Sequence, residues 1–229
     1  MWQFNFPFES LGFDPGEAAR LMGFTSENSS DLPEPFFYLL GEALREISGL
    51  CNISAGVRIF QSPEFCSESK TIRLDKVTFH PGSTVFRDLK QSSEIALFLV
   101  TAGPGLSEKI TELAAAGDQV GSYIYDLLGS VVVMKAVDKL LEEVRELTNT
   151  PESCITHPYS PGNCGWEMGE QRKLFSLFPA DYCGVSLSDS CLMTPVKSLS
   201  GMAGLGTGVE RKGTLCNLCN DRNCFMRKS

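Results

Sequence analysis

The residues best suited to chemistry in this chain fall in two groups. The first is Cys216-Asn217-Leu218-Cys219-Asn220-Asp221-Arg222-Asn223-Cys224. A Cys-x-x-Cys pair can grip one metal ion or one edge of a cluster, and a third thiolate five residues later fits the same centre. Three ligands leave one position for Cys164, Cys191 or Cys183, for a substrate atom or for solvent. Arg211, Lys212, Arg222, Arg227 and Lys228 surround this tail and offset thiolate charge. Both an iron–sulfur cluster and a zinc ion are compatible with the spacing, so the expected metal ligands are Cys216, Cys219 and Cys224, with Cys164 as the preferred fourth.

The second group is Pro158-Tyr159-Ser160-Pro161-Gly162-Asn163-Cys164-Gly165-Trp166. Two prolines and two glycines within nine residues forbid a regular helix or a central strand. The backbone must therefore cross a surface along a fixed, partly extended path, and such a loop presents its groups to a ligand. After it, residues 168–178 place Leu174, Phe175, Leu177 and Phe178 at helical spacing with Glu170, Arg172 and Lys173 facing outward, which predicts an amphipathic helix.

Other elements must hold these groups in place. Asp14, Pro15 and Gly23 bound a short capped helix in an N-terminal docking arm. Residues 34–47 carry Phe37, Leu40, Leu44 and Ile47 on one face and predict a core helix. From 53 to 101 the period changes to that of strands, and Ile95-Ala96-Leu97-Phe98-Leu99-Val100 reads as an interior strand buried on both faces. His80, before Pro81, reads as structural, and Cys51 and Cys66 as plain thiols. Thr101-Ala102-Gly103-Pro104-Gly105 leads into a helix, either as an anion-holding turn or as a left-handed one. Residues 118–147 are the longest periodic segment and predict the central helix, bent at Gly129-Ser130. Short strands follow at 185–187 and 199–205.

The 229 residues, 42% of them hydrophobic, suffice for a substantial core, and the expectation is a single domain over 1–229 with a cysteine-rich tail at 211–229. A net charge of −8 without a long Lys/Arg run argues against nucleic acid or an anionic membrane as the main partner. A protein or a small molecule fits better. No apolar run reaches the roughly 18 residues of a membrane span, and the first residues lack an export signal. The expected location is the cytoplasm, where nine cysteines are thiols and metal ligands rather than disulfides.

Several segments together resemble the activation (reactivation) domain of cobalamin-dependent methionine synthase, in its stand-alone form. They are residues 14–23, Thr101-Ala102-Gly103, Gly129-Ser130 within the central helix, Ser160-Pro161-Gly162, Trp166, Gln171, Gly184-Val185, and the run Met193, Pro195, Lys197, Ser198, Ser200, Gly201. The resemblance implies an α+β fold with a curved, largely antiparallel sheet flanked by helices. It also implies a role beside a corrinoid protein, binding S-adenosylmethionine so that cob(II)alamin, once reduced, is remethylated. The family's Arg-x-x-x-Gly-Tyr motif falls on Pro158, Gly162 and Asn163, so this chain lacks the guanidinium that clamps a carboxylate and the tyrosine that packs the ligand. An acidic ligand contact of the family falls on Glu142, and His157 partly replaces the missing cation. The implied ligand set is Glu142, His157, Tyr159, Ser160, Pro161, Gly162 and Asn163.

Three functions compete. The leading one is an accessory protein for reactivating a corrinoid methyltransferase such as methionine synthase, in which a redox-active iron–sulfur centre is favoured over zinc because cobalt needs an electron. The second is a non-catalytic interaction module with a structural zinc. The third, an independent methyltransferase, ranks lowest because no base or nucleophile stands out.

Overall fold

The computed structural model describes residues 1–14, 16–17, 34–148 and 154–211. Cys216, Cys219 and Cys224, and most of the predicted helix at 14–23, lie outside the described residues.

The fold is built on Glu94–Thr101, whose side chains are buried on both sides. Ile95, Leu97 and Leu99 enter one apolar cluster, and Ala96, Phe98 and Val100 enter another across the sheet. Strand alternation distributes an unbroken apolar run in this way when both faces are covered. The strands are β1 (Trp2–Phe6), β2 (Ile53–Gln61), β3 (Glu64–Cys66), β4 (Thr71–Leu74), β5 (Val77–Phe79), β6 (Glu94–Thr101), β7 (Cys154–Ile155), β8 (Ser186–Leu187), β9 (Met193–Thr194) and β10 (Ser198–Gly206). The main sheet runs β1-β2-β6-β10-β7, and all its pairings are antiparallel. It curls as a half-barrel in an α+β fold.

Helices α1 (Glu34–Leu50), α3 (Pro104–Ala115) and α4 (Gln119–Leu147) cover one face of the sheet. Asp118 caps α4 by accepting from the Gly121 N–H at 2.8 Å, satisfying one of the donors a helix start leaves open. Leu128, Val132, Ala136 and Leu140 are fully buried against the sheet, and each such Leu or Val removes apolar surface worth about 1.5–3 kcal/mol. By length and composition α4 could cross a membrane, but its apolar side is taken up by this core. The helix runs without interruption through Gly129-Ser130.

On the other face lie helices α2 (Gly82–Leu89) and α5 (Gln171–Phe175), the small sheet β3-β4-β5 and the Pro/Gly loop. Three expectations change in detail. The helix expected over 168–178 is a 3-10 turn at Met168–Glu170 followed by the single turn of α5. Glu170 points inward because its carboxylate accepts the His80 backbone N–H at 2.8 Å and lies 2.5 Å from Lys173 Nζ. Phe37, Val120 and Met134, which share the apolar period, are exposed because the sheet occupies only part of each helix's circumference.

Candidate functional site

The Pro/Gly loop is moored to the sheet at Tyr159. Its N–H donates to the Met202 carbonyl at 2.9 Å and its carbonyl accepts from the Met202 N–H at 2.8 Å, which extends the edge of β10 beyond β7. The ring is 1% exposed, and its hydroxyl donates to the Asp88 carboxylate on α2. Burial first, and then the Asp88 hydrogen bond and charge, push the phenol far above its ordinary pKa. Tyr159 thus stands inside the protein as a strut. Gly201 allows the loop its close approach, since a Cβ there would lie 2.3 Å from the Tyr159 carbonyl oxygen and 2.7 Å from Phe98 Cζ.

Beyond Tyr159 the chain folds into a tight turn. Asn163 N–H donates to Ser160 O at 3.1 Å, Trp166 N–H to Asn163 O at 2.9 Å and Gly162 N–H to Trp166 O at 2.7 Å. Gly162 adopts φ +94 and Gly165 φ +79, which glycine reaches at no steric cost. Pro161 is buried, Ser160 and Cys164 are half-buried, and Gly162 and Asn163 are exposed. Trp166 is buried edge-on against Phe79 at 6.2 Å, and Met168 lies over Gly162 with about half its surface exposed.

Glu142 is exposed on α4, its carboxylate 3.3 Å from Lys139 Nζ, and Glu143 lies 3.2 Å from the same ammonium. This Lys139 neighbour offsets the acidic charges that the sequence set near the helix's negative end. One turn earlier on the same face, Asp138 Oδ1 lies 3.0 Å from Nη2 of Arg211. Arg211 also directs its Nε toward Nδ1 of the buried His157 at 3.4 Å. Arg211 therefore joins the helix face of Glu142 to the segment that opens the loop. As a side chain acting beside His157 it was not legible in the sequence, which placed it only as a counter-charge for the cysteine tail. No local sequence signal marks the pairing, which arises because β10 runs antiparallel along residues 154–159.

The segments behind the family resemblance meet elsewhere, at the start of β10. The Lys197 carbonyl accepts from the Ala102 N–H at 2.9 Å and the Thr101 hydroxyl at 3.3 Å, and Ser198 Oγ donates to Thr101 Oγ1 at 2.8 Å. The Lys197 side chain is buried along Gly129, with Nζ 2.8 Å from Asp126 and 3.1 Å from Ser130 Oγ. Gly103 takes φ +87, and a Cβ there would lie 2.8 Å from the Asn52 carbonyl oxygen, so this position before α3 requires glycine. A cleft of about 430 Å³ opens beside it, lined by Pro104, Ser107, Thr111, Thr194, Pro195 and Val196.

Among the described residues no group of three or more His, Cys, Asp or Glu side chains is arranged to hold a metal. Among the described residues, Cys164, Cys183 and Cys191 form no disulfide. Burial pushes the Cys183 thiol up to about 11 and the Cys51 thiol up to about 12. The metal ligands expected in the tail fall outside the described residues.

Comparison with known proteins agrees with this architecture. A solved structure described as "Crystal Structure of the MetH Reactivation Domain bound to AdoHcy" aligns with a TM-score of 0.68 at 15% identity, covering 93% of this chain and 80% of that one. No curated protein matches the sequence. The family model for the activation domain of vitamin B12 dependent methionine synthase matches residues 85–209, more than half of the chain. That segment contains α4, the Pro/Gly loop, the Lys197 node and all of β10. The chain belongs to the vitamin B12 dependent methionine synthase activation domain family.

Proposed function

We propose that this protein assists the reductive reactivation of a corrinoid methyltransferase such as methionine synthase, docking beside the cobalamin-carrying partner and holding S-adenosylmethionine against it. In that reaction an external reductant adds one electron to cob(II)alamin, and a methyl group passes from the sulfonium to cobalt with release of S-adenosylhomocysteine. The observation that carries the reading is the family match over residues 85–209. The S-adenosylhomocysteine bound to the structurally similar MetH reactivation domain supports the choice of ligand.

The donor set fits such a ligand in kind. Glu142 and Asp138 offer carboxylates for an ammonium or a ribose diol, and Arg211 a guanidinium for a carboxylate. The exposed Gly162 and Asn163 form a backbone shelf, and Met168 adds an apolar contact. The Ser160 carbonyl holds that shelf at Asn163, the buried Tyr159 anchors it, and His157 and Pro161 are buried in the same segment. The cobalt performs the difficult chemistry, while this chain supplies position and electrostatics. The reading sets the protein in the cytoplasm, where thiols stay reduced.

Its test is calorimetric titration with S-adenosylmethionine, followed by anaerobic methylation of cob(II)alamin on the partner with and without this protein. Micromolar ligand binding and a partner methylated only in the presence of this chain are expected. Binding of the partner without any ligand binding would favour the second reading, a non-catalytic interaction module. Pro158 and Asn163, in place of the motif's arginine and tyrosine, support that second reading.

The metal centre is the finer part of the proposal. Cys216, Cys219 and Cys224 supply three thiolates by spacing, and the half-buried Cys164 on the exposed turn is the preferred fourth. An iron–sulfur cluster would pass the electron to cobalt, and zinc would only tie down the tail.

A further inference from the structure

We infer that Arg211 is the group that receives the carboxylate of an α-amino-acid ligand in this protein, at a place in the chain far from Pro158. The inference rests on the proposed S-adenosylmethionine site and names which side chain recognises the ligand's amino-acid end.

Three observations carry it. Arg211 leaves the end of β10 and brings its guanidinium into the angle between α4 and the start of the Pro/Gly loop. The group is held by two contacts of different kinds, Nη2 on the Asp138 carboxylate and Nε toward the imidazole of His157, which is 5% exposed. A surface ion pair needs only the first of these and contributes little. The second fixes the plane of the guanidinium, which is the requirement for bidentate recognition of a planar carboxylate. The imidazole meets Arg211 as a hydrogen-bond acceptor, so it orients the guanidinium rather than pairing its charge. Finally, Glu142 lies one helical turn beyond Asp138 on the same face and shares the Lys139 ammonium with Glu143, so the helix face on which Arg211 rests carries more carboxylate than ammonium. That charge pattern is complementary to an amino-acid zwitterion.

The experiment is titration calorimetry of the full chain with S-adenosylmethionine and with decarboxylated S-adenosylmethionine, which differ only in the carboxylate. Wild type, Arg211→Gln and Arg211→Lys are compared, with thermal melts confirming that each variant is folded. Wild type should bind the carboxylated ligand roughly ten- to a hundred-fold more tightly than the decarboxylated one, the range for losing a charge-assisted bond. Arg211→Gln should abolish that preference while leaving the decarboxylated ligand's affinity unchanged, and Arg211→Lys should restore part of it. A carboxylate preference that survives in Arg211→Gln would overturn the assignment while leaving the ligand site standing. An equal loss for both ligands would show that Arg211 only shapes the site. Failure of wild type to bind either ligand would overturn the ligand site and this inference together.

Discussion

Lys197 reaches Asp126 across the face of α4, with 2.8 Å between ammonium and carboxylate, and its aliphatic stem lies directly on Gly129. A Cβ at Gly129 would lie 2.9 Å from both Cγ and Cδ of that lysine. The glycine therefore makes room for the stem of a buried cation, and it couples the start of β10 to the central helix. Gly129→Val should destabilise the protein by about 1–3 kcal/mol through overpacking. In the Lys197→Ala background the same change should cost less, because the clashing stem is gone. Urea denaturation of the four proteins forms the cycle, and additive losses would show that the two positions are not coupled.

Gly201 controls how closely the Pro/Gly loop approaches the sheet. Gly201→Ala puts a methyl group against the Tyr159 carbonyl and the Phe98 ring, and the backbone on one side cannot yield cheaply. We expect a loss of about 1–3 kcal/mol, together with faster hydrogen exchange at the amides of Tyr159 and Met202, whose mutual bonds moor the loop. Unchanged exchange at those two amides would show that the bridge tolerates the methyl.

Alkaline pH should weaken the fold through Cys51. Burial raises this thiol from 9.0 to about 12. The folded state therefore holds its proton across a window in which the unfolded chain has released it. The associated stability is complete below pH 9 and is lost as pH rises from 9 toward 12. The denaturant midpoint should fall across that window, and the fall should be shallower in Cys51→Ala. Parallel pH profiles for the two proteins would show that the thiol does not contribute.

Anaerobically purified protein should contain stoichiometric iron or zinc, read by elemental analysis and the visible spectrum. Cys164→Ser and Cys219→Ser should each lower the metal content, and Cys51→Ser should not, because its thiol is part of the packed core. Metal-free wild type would reduce the tail to a set of thiols.

What the sequence determined by itself was whatever depends on a short window of residues. The run at 95–100 could only be a strand covered on both faces, the long period after Asp118 could only be a buried helix, and the prolines and glycines at 158–165 excluded regular structure. The spaced Gly, Lys and Ser residues carried the family resemblance over the same elements, and that resemblance implied the largely antiparallel α+β fold. Only the tertiary structure decided which side chains share a site. Glu170 fits the polar face of a helix in sequence but turns inward, because the backbone N–H of His80, 90 residues away, needs its carboxylate. Arg211 lies 54 residues from His157 and 73 from Asp138, and the three meet only because β10 returns antiparallel along the loop. Local period records which face of an element is apolar. It carries no record of which distant partner the closed sheet brings to a polar group, and in this protein the candidate site is made of such pairings.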